Sequence, residues 1–341
     1  FLIEATPPAA VVLDLGSTNG TLVNGAPAVG RIALKEGDVV TAGAVEATVS
    51  IRQDDAPSGD PGEVQTWRKF PGIEVLREVG SGAMGKVFLV RMAPSGTEAV
   101  LKTVTLKSVL DEDKRGAYFQ REMAATKDLR HPNIVAFLDG GRFEGNFYFL
   151  LEYCAGGSVA ALMKTRGGRL GVAEAGPLMR QALDGLEFAH SRGIVHRDLT
   201  PANLLLAGPE AAPVLKVADF GLAKNFKLAG MSGVTEVGMA AGSLSYAPRE
   251  QLTNFRFTQP TSDIFSLGAT FYAMLSGKGV YDLESVKEPL EAVLDGRTVP
   301  LAARAPDLPA GLCAVIDRAV SVDPAARYCD AAAFRAALIN E

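Results

Sequence analysis

HRDLTPANLLL, residues 196–206, sets an acid, Asp198, and an amide, Asn203, just ahead of an apolar run. A carboxylate such as Asp198 can take a proton from an attacking hydroxyl. Asn203 offers an amide oxygen, and Asp219 in VADFGLAK, residues 217–224, offers a carboxylate. Both suit Mg2+, a hard cation that prefers oxygen ligands. Thr200 and Ala202 stand between Asp198 and Asn203, so no cation occupies that interval.

Working outward, VGSGAMGKV, residues 79–87, places Gly80, Gly82 and Gly85 between two strand-like runs. Glycines there let a backbone approach a polyphosphate closely, with N–H groups turned to its oxygens. A plain glycine-rich hairpin is the bland alternative. Lys102 ends the apolar run EAVLK, where a lone cation is costly unless paired. It pairs with phosphate and with Glu122 of FQREMAATKDL on one reading, and reaches solvent from an edge strand on the other. Each string alone could arise by chance; all of them in one order, on matching strand, helix and loop elements, do not.

The chain has 341 residues, 48% hydrophobic and 21% charged, enough for a sizeable core. The net charge of −5 excludes a general nucleic-acid binder, which shows a basic excess. Cys154, Cys313 and Cys329 are widely spaced, fitting neither a disulfide framework nor a zinc pattern. A reducing, cytoplasmic setting is the expectation. No apolar run approaches the roughly 18 residues that span a bilayer, so no membrane segment is expected. Pro7 and Pro8 and the lack of a basic start argue against a signal peptide, and the absence of an initiator Met is read as a fragment of a longer protein.

RQDDAPSGDPGEVQT, residues 52–66, carries almost no apolar side chains and reads as a linker. The expected division is 1–52, linker 53–69, and 70–341. Before the linker, short apolar runs alternate with turn residues, and the Asn-Gly pairs at 19–20 and 24–25 mark tight turns between antiparallel strands. After it, strand patterns over 73–104 give way to helical patterns at 173–192, 262–276, 285–295, 309–321 and 330–339. The fold class is α+β, with a small sheet-rich lobe ahead of a large helical one.

Residues 70–341 resemble a eukaryotic-type protein kinase domain, and the motifs quoted above carry the resemblance. It implies a two-lobed kinase fold that binds ATP and Mg2+ and phosphorylates serine and threonine in protein substrates. It implies further that Gly80, Gly82 and Gly85 cover ATP, that Lys102 holds the α- and β-phosphates and pairs with Glu122, and that Asp198 is the catalytic acid–base. Asn203 and Asp219 would hold the metal, with Phe220 and Gly221 completing a switch motif. FLLEYCAGG resembles the hinge, making Leu151 the gatekeeper and giving adenine the backbone groups of Glu152 and Cys154. Val79, Val87, Val100 and Leu205 would sandwich the purine. Asp263 would brace the catalytic loop, and Glu250 and Arg327 would form a late ion pair. Pro201 points to the Ser/Thr branch.

Three positions depart from the family pattern. Thr200 stands where the Ser/Thr branch has a lysine that reaches the γ-phosphate. Losing one preorganised donor costs on the order of 10²–10³ in rate. An active but slowed enzyme is therefore expected, and an ATP-occupied pseudokinase scaffold is the alternative. Val100 replaces a usual alanine and tightens packing on the ring. GSLSYAPREQ, residues 242–251, keeps Glu250 and the Ser243 hydroxyl, and its Arg249 resembles bacterial members. By the same resemblance, Arg197 would receive a phosphate from the activation segment, where Ser232 and Thr235 are acceptors, with ordinary loop hydroxyls as the other reading.

DLGSTNGTLVNG and IALKEGDVV, in the first fifty residues, resemble the second half of a forkhead-associated (FHA) domain. That β-sandwich reads phosphothreonine, and Asn19 matches its peptide-binding asparagine. The phosphate-gripping residues of the family lie upstream of this stretch, so residues 1–52 form a partial all-β sandwich. Phosphothreonine proteins become partners only where the domain is complete.

Overall fold

Asn24 and Gly25 take φ of 51° and 82°, and the chain reverses there. Both angles match the tight turn that the Asn-Gly pair predicts. The computed structural model describes residues 2–6, 9–13, 21–28, 31–42, 45–49, 67, 69–82, 85–104, 119, 123, 126–220, 244–253, 258–283 and 289–340. The chain divides into two units, Phe1–Lys69 and Phe70–Glu341.

In the first unit β1 (Leu2–Thr6), β2 (Ala9–Leu13) and β5 (Arg31–Leu34) form one antiparallel sheet in the order β1-β2-β5. The strands β3 (Thr21–Val23), β4 (Ala26–Pro27), β6 (Val39–Ala42) and β7 (Val45–Thr48) form a second, in the order β4-β3-β6-β7. Val12 and Leu34 from the first sheet meet Val23 and Val40 from the second in one buried cluster. The layers are thus held by apolar side chains from both inner faces. Asn24 ties the turn down: its Nδ2 donates to Asp38 Oδ1 at 2.8 Å, and Val39 N–H donates to its Oδ1 at 2.8 Å. Trp67, inside the stretch read as linker, is fully buried; it brings there the large apolar surface that the composition otherwise lacks.

The second unit opens with a five-stranded antiparallel sheet, order β11-β12-β10-β9-β8. Its strands are β8 (Ile73–Gly82), β9 (Gly85–Met92), β10 (Glu98–Val104), β11 (Phe137–Phe143) and β12 (Asn146–Glu152). Alternation along β10 buries Ala99, Leu101 and Thr103 and leaves Val100 and Lys102 half-buried on the opposite face.

Below the sheet lie α1 (Val159–Thr165), α2 (Val172–Ser191), the hairpin β13 (Leu204–Ala207) and β14 (Val214–Val217), α3 (Arg249–Thr253) and α4 (Pro260–Ser276). They are followed by α5 (Pro289–Leu294), α6 (Leu301–Arg304), α7 (Ala310–Ala319) and α8 (Ala331–Ile339). The helical stretch read at 285–295 is observed from Pro289, and residues 284–288 lie outside the described ones. Helix α4 is buried without a break from Ser262 to Leu275 and forms the axis of this layer. It meets α7 closely at Gly268, where a Cβ would sit 2.8 Å from that of Ala319. In the run Leu204–Leu206 the strand period sends the first and third leucines into the helical core and leaves Leu205 half-buried on the other side.

Candidate active site

The irregular stretch 196–203 has no helix or sheet ladder over its first half, so its backbone groups need partners from elsewhere. Asp263 on α4, fully buried, supplies two of those partners and also binds a side chain of α2. Its Oδ2 accepts from His196 N–H at 2.7 Å and from His190 Nε2 at 2.8 Å, and its Oδ1 accepts from Arg197 N–H at 2.7 Å. Arg197 takes φ of 67°, the turn that brings two successive N–H groups onto one carboxylate. Gln251 Nε2 donates to Arg197 O at 3.0 Å. His196 Nδ1 accepts from Asp198 N–H at 3.2 Å while Nε2 donates to Ala218 O at 2.8 Å, which fixes the proton on Nε2.

Asn203 then fastens Asp198. Its Nδ2 donates to Asp198 O at 2.7 Å and to Asp198 Oδ2 at 3.2 Å. Spending the amide nitrogen this way leaves the amide oxygen as the group suited to a cation. Asn203 O also accepts from Ala218 N–H at 2.9 Å, which joins this loop to the segment carrying Asp219. Asp219 takes φ of 61°, and its Oδ1 accepts from Lys102 Nζ at 2.7 Å. Burial pushes the Asp219 carboxyl up, but the Lys102 charge and hydrogen bond outweigh it and hold the pKa below the ordinary value. A continuous line therefore runs from Lys102 through Asp219, the Ala218 peptide and Asn203 to Asp198. Thr200 is half-buried and caps the turn Pro201–Asn203 through its carbonyl, which accepts from Asn203 N–H at 3.0 Å.

Between sheet and helices, Val100 and Leu205 pack on one buried cluster that includes Leu151, Cys154 and Ala218. Val87 is half-buried, and Val79 is 38% exposed. Glu152 turns its carboxylate elsewhere: Oε2 accepts from Lys216 Nζ at 2.9 Å and from Ala136 N–H at 3.1 Å. Its backbone N–H is also engaged, donating to Ala136 O at 2.9 Å. Burial, helped by the Glu152 charge, pushes the Cys154 thiol up to about 11, so it is no nucleophile. Gly80 and Gly82 end β8, and Gly85 opens β9. Gly85 has φ of 140°, and a Cβ there would lie 2.1 Å from Thr103 O. Thr103 Oγ1 accepts from Lys86 N–H at 2.8 Å and so holds this glycine turn against the strand that carries Lys102.

A model of the protein kinase domain matches residues 73–337, and a model of the FHA domain matches residues 1–43. The chain belongs to the protein kinase family. Among similar kinases, serine/threonine-protein kinase PknJ of Mycobacterium tuberculosis is 31% identical over 285 residues, covering 80% of this chain and 46% of that protein. Serine/threonine-protein kinase PknF of the same species is 31% identical over 262 residues, covering 76% of this chain and 54% of that protein. The chain spans about half the length of the curated relatives it matches. The crystal structure of the M. tuberculosis PknI kinase domain superposes with a TM-score of 0.60 at 27% identity, covering 80% of this chain and 97% of that one.

Lys102, Asp219, Asn203 and Asp198 are brought into one connected line. Glu122, Gly221, Ser232, Thr235, Ser243 and Asn19 lie outside the described residues. Arg327 and Glu250 meet in two bonds, Nη1 to Oε1 at 2.6 Å and Nη2 to Oε2 at 3.1 Å. Burial raises the Glu250 pKa, but the Arg327 hydrogen bond and charge bring it below the ordinary value. Sequence reasoning missed Lys216, Gln251 and Thr103. Gln251 carried a faint signal, a polar residue beside Glu250 that proves buried. The other two act on residues remote in the chain and left none.

Proposed function

We propose that this chain transfers the γ-phosphoryl group of Mg-ATP to serine and threonine hydroxyls of proteins. The observation that carries the reading is the line from Lys102 to Asp198, which joins four polar side chains from three distant segments. Val79, Val87 and Val100 cover the adenine ring and Leu205 supports it from below. The Glu152 and Cys154 backbones meet its edge, with Leu151 behind. The turn of Gly80, Gly82 and Gly85 lies over the triphosphate, and Lys102 neutralises its α- and β-phosphates. The donor set suits magnesium: a carboxylate at Asp219 kept ionised and an amide oxygen at Asn203. When bound there, the ion supplies neutralisation of phosphate charge.

Asp198 takes the proton of the attacking hydroxyl as that oxygen bonds to the γ-phosphorus. The bond from phosphorus to the β–γ bridging oxygen breaks, and ADP leaves with the electron pair. Asn203 Nδ2 orients the Asp198 carboxylate for this step. Thr200 adds no charge, so turnover is slow; the scaffold reading rests on that residue alone. Arg197 receives the phosphate of an autophosphorylated activation segment, with Thr235 and Ser232 as acceptors, and phosphopeptide mapping that finds Thr235 unlabelled rejects that site. Where the FHA domain is complete, Asn19 serves a phosphothreonine partner. The three cysteines are free, in keeping with a reducing cytoplasm. Among the described residues no helix is long and apolar enough to cross a membrane.

Labelled ATP and a generic Ser/Thr-containing protein test the reading beside Asp198→Asn. Label transferred by the parent and lost in the variant supports it; equal labelling by both sinks it.

A further inference from the structure

Thr270 is a fully buried polar residue in the apolar middle of α4. A threonine hydroxyl inside a helix ordinarily turns back to the carbonyl one turn earlier. Thr270 Oγ1 does so, 2.9 Å from Ser266 O. It also lies 3.2 Å from Leu199 O, in the catalytic loop one residue beyond Asp198. Its single proton therefore faces two carbonyl oxygens, one of them on another segment. Leu199 is itself buried, and a buried carbonyl needs a donor. Among the described residues Thr270 is the donor to it.

The position on the helix adds meaning to the bond. Asp263 and Thr270 are about two turns apart and so share a face of α4. Asp263 grips the loop where it arrives, through the N–H groups of His196 and Arg197. Thr270 grips it where it leaves, through Leu199 O. Asp198 lies between the two grips, and Gln251 and Asn203 hold the carbonyls of Arg197 and Asp198.

We propose that Thr270 is a positioning residue for phosphoryl transfer. Together with Asp263 it clamps the catalytic loop to one face of α4 and keeps the Asp198 carboxylate at reacting distance. This rests on the kinase reading above. Thr270 touches neither nucleotide nor substrate; it acts through the Leu199 peptide. Since Thr200 brings no cation to the site, placement of Asp198 carries a larger share of the rate.

The test compares Thr270→Val, Thr270→Ser and Thr270→Ala in the full chain by steady-state kinetics and by hydrogen exchange of the peptide spanning 194–206. Thr270→Val is expected to lower kcat about tenfold while KM for ATP stays within about twofold, because misplacement affects the chemical step and not nucleotide binding. Exchange over 194–206 is expected to quicken on the order of tenfold. Thr270→Ser keeps the hydroxyl and should track the parent in both readouts. Thr270→Ala should follow Thr270→Val, so that the Ser and Ala pair decides the matter even where the valine variant fails to fold. Unchanged exchange with unchanged kcat in folded Val or Ala variants overturns the proposal, as does a serine variant as impaired as alanine. Should the parent show no Asp198-dependent transfer, the kinase reading falls, and the exchange data still decide the clamp.

Discussion

Asp263→Asn changes one atom on a buried side chain that accepts three bonds, so its cost follows from counting partners. In the carboxylate, Oδ2 takes His196 N–H and His190 Nε2, and Oδ1 takes Arg197 N–H. An amide has one oxygen and one NH2. With the oxygen at the Oδ2 position, the NH2 faces Arg197 N–H; with the reverse flip, it faces both of the other partners. The milder flip loses one charge-assisted bond, about 1.5–3 kcal/mol, and leaves a buried N–H unpaired, about 1–3 kcal/mol more. The minimum is thus about 2.5 kcal/mol. For a domain of this size that corresponds to a fall in Tm of roughly 5–10 °C. Calorimetry measures the fall, and hydrogen exchange at the Arg197 amide locates it. The amide flip that spares His196 predicts faster exchange at Arg197 than at His196. A variant melting within about 2 °C of the parent, with Arg197 still protected, would refute the view that Asp263 organises the loop.

Thr200→Lys should raise kcat by about tenfold to a hundredfold, short of the full value of a preorganised donor because its surroundings did not form around it. Thr200→Met controls for length, and an equal rise there would remove charge from the explanation. Glu250→Gln should destabilise by roughly 3–5 kcal/mol, since it leaves the buried Arg327 charge with neutral carbonyl acceptors and no counter-charge. The Glu250 pKa is depressed in the folded state, so its contribution is present above the ordinary value of 4.5 and is lost as pH falls through the folded one. Below pH 4.5 the Tm of the parent should therefore fall more steeply with falling pH than that of Glu250→Gln. Gly85→Ala places a Cβ 2.1 Å from Thr103 O at a φ of 140° and should cost about 1–3 kcal/mol, read as a raised KM for ATP. Gly80→Ala meets nothing nearer than Val87 Cβ at 3.9 Å and should be far milder.

Much of the site was legible because its chemistry is written in short strings. Asp198 and Asn203 are bonded to each other, and that bond spans a few residues of one loop. Likewise the strand period alone separates Leu205 from its two neighbours, and Val100 with Lys102 from Leu101. The supporting groups were not legible, because they are set by how distant segments pack. Lys216 holds Glu152 from the neighbouring hairpin, and Thr103 explains Gly85 only once β9 lies against β10. The third glycine looked like a phosphate contact; the structure adds that a side chain there would strike the backbone of Thr103. Thr270 lies in a helix whose sequence reads as plain core, and its second hydrogen bond exists only because the catalytic loop crosses that face.

The central claim is that Lys102, Asp219 and Asn203 act on one magnesium-loaded triphosphate. Calorimetric titration with ATP, with and without Mg2+, in the parent and in Asp219→Asn tests it most directly. Magnesium should tighten ATP binding by the parent and have little effect on the variant. An identical response to magnesium in both would contradict the claim.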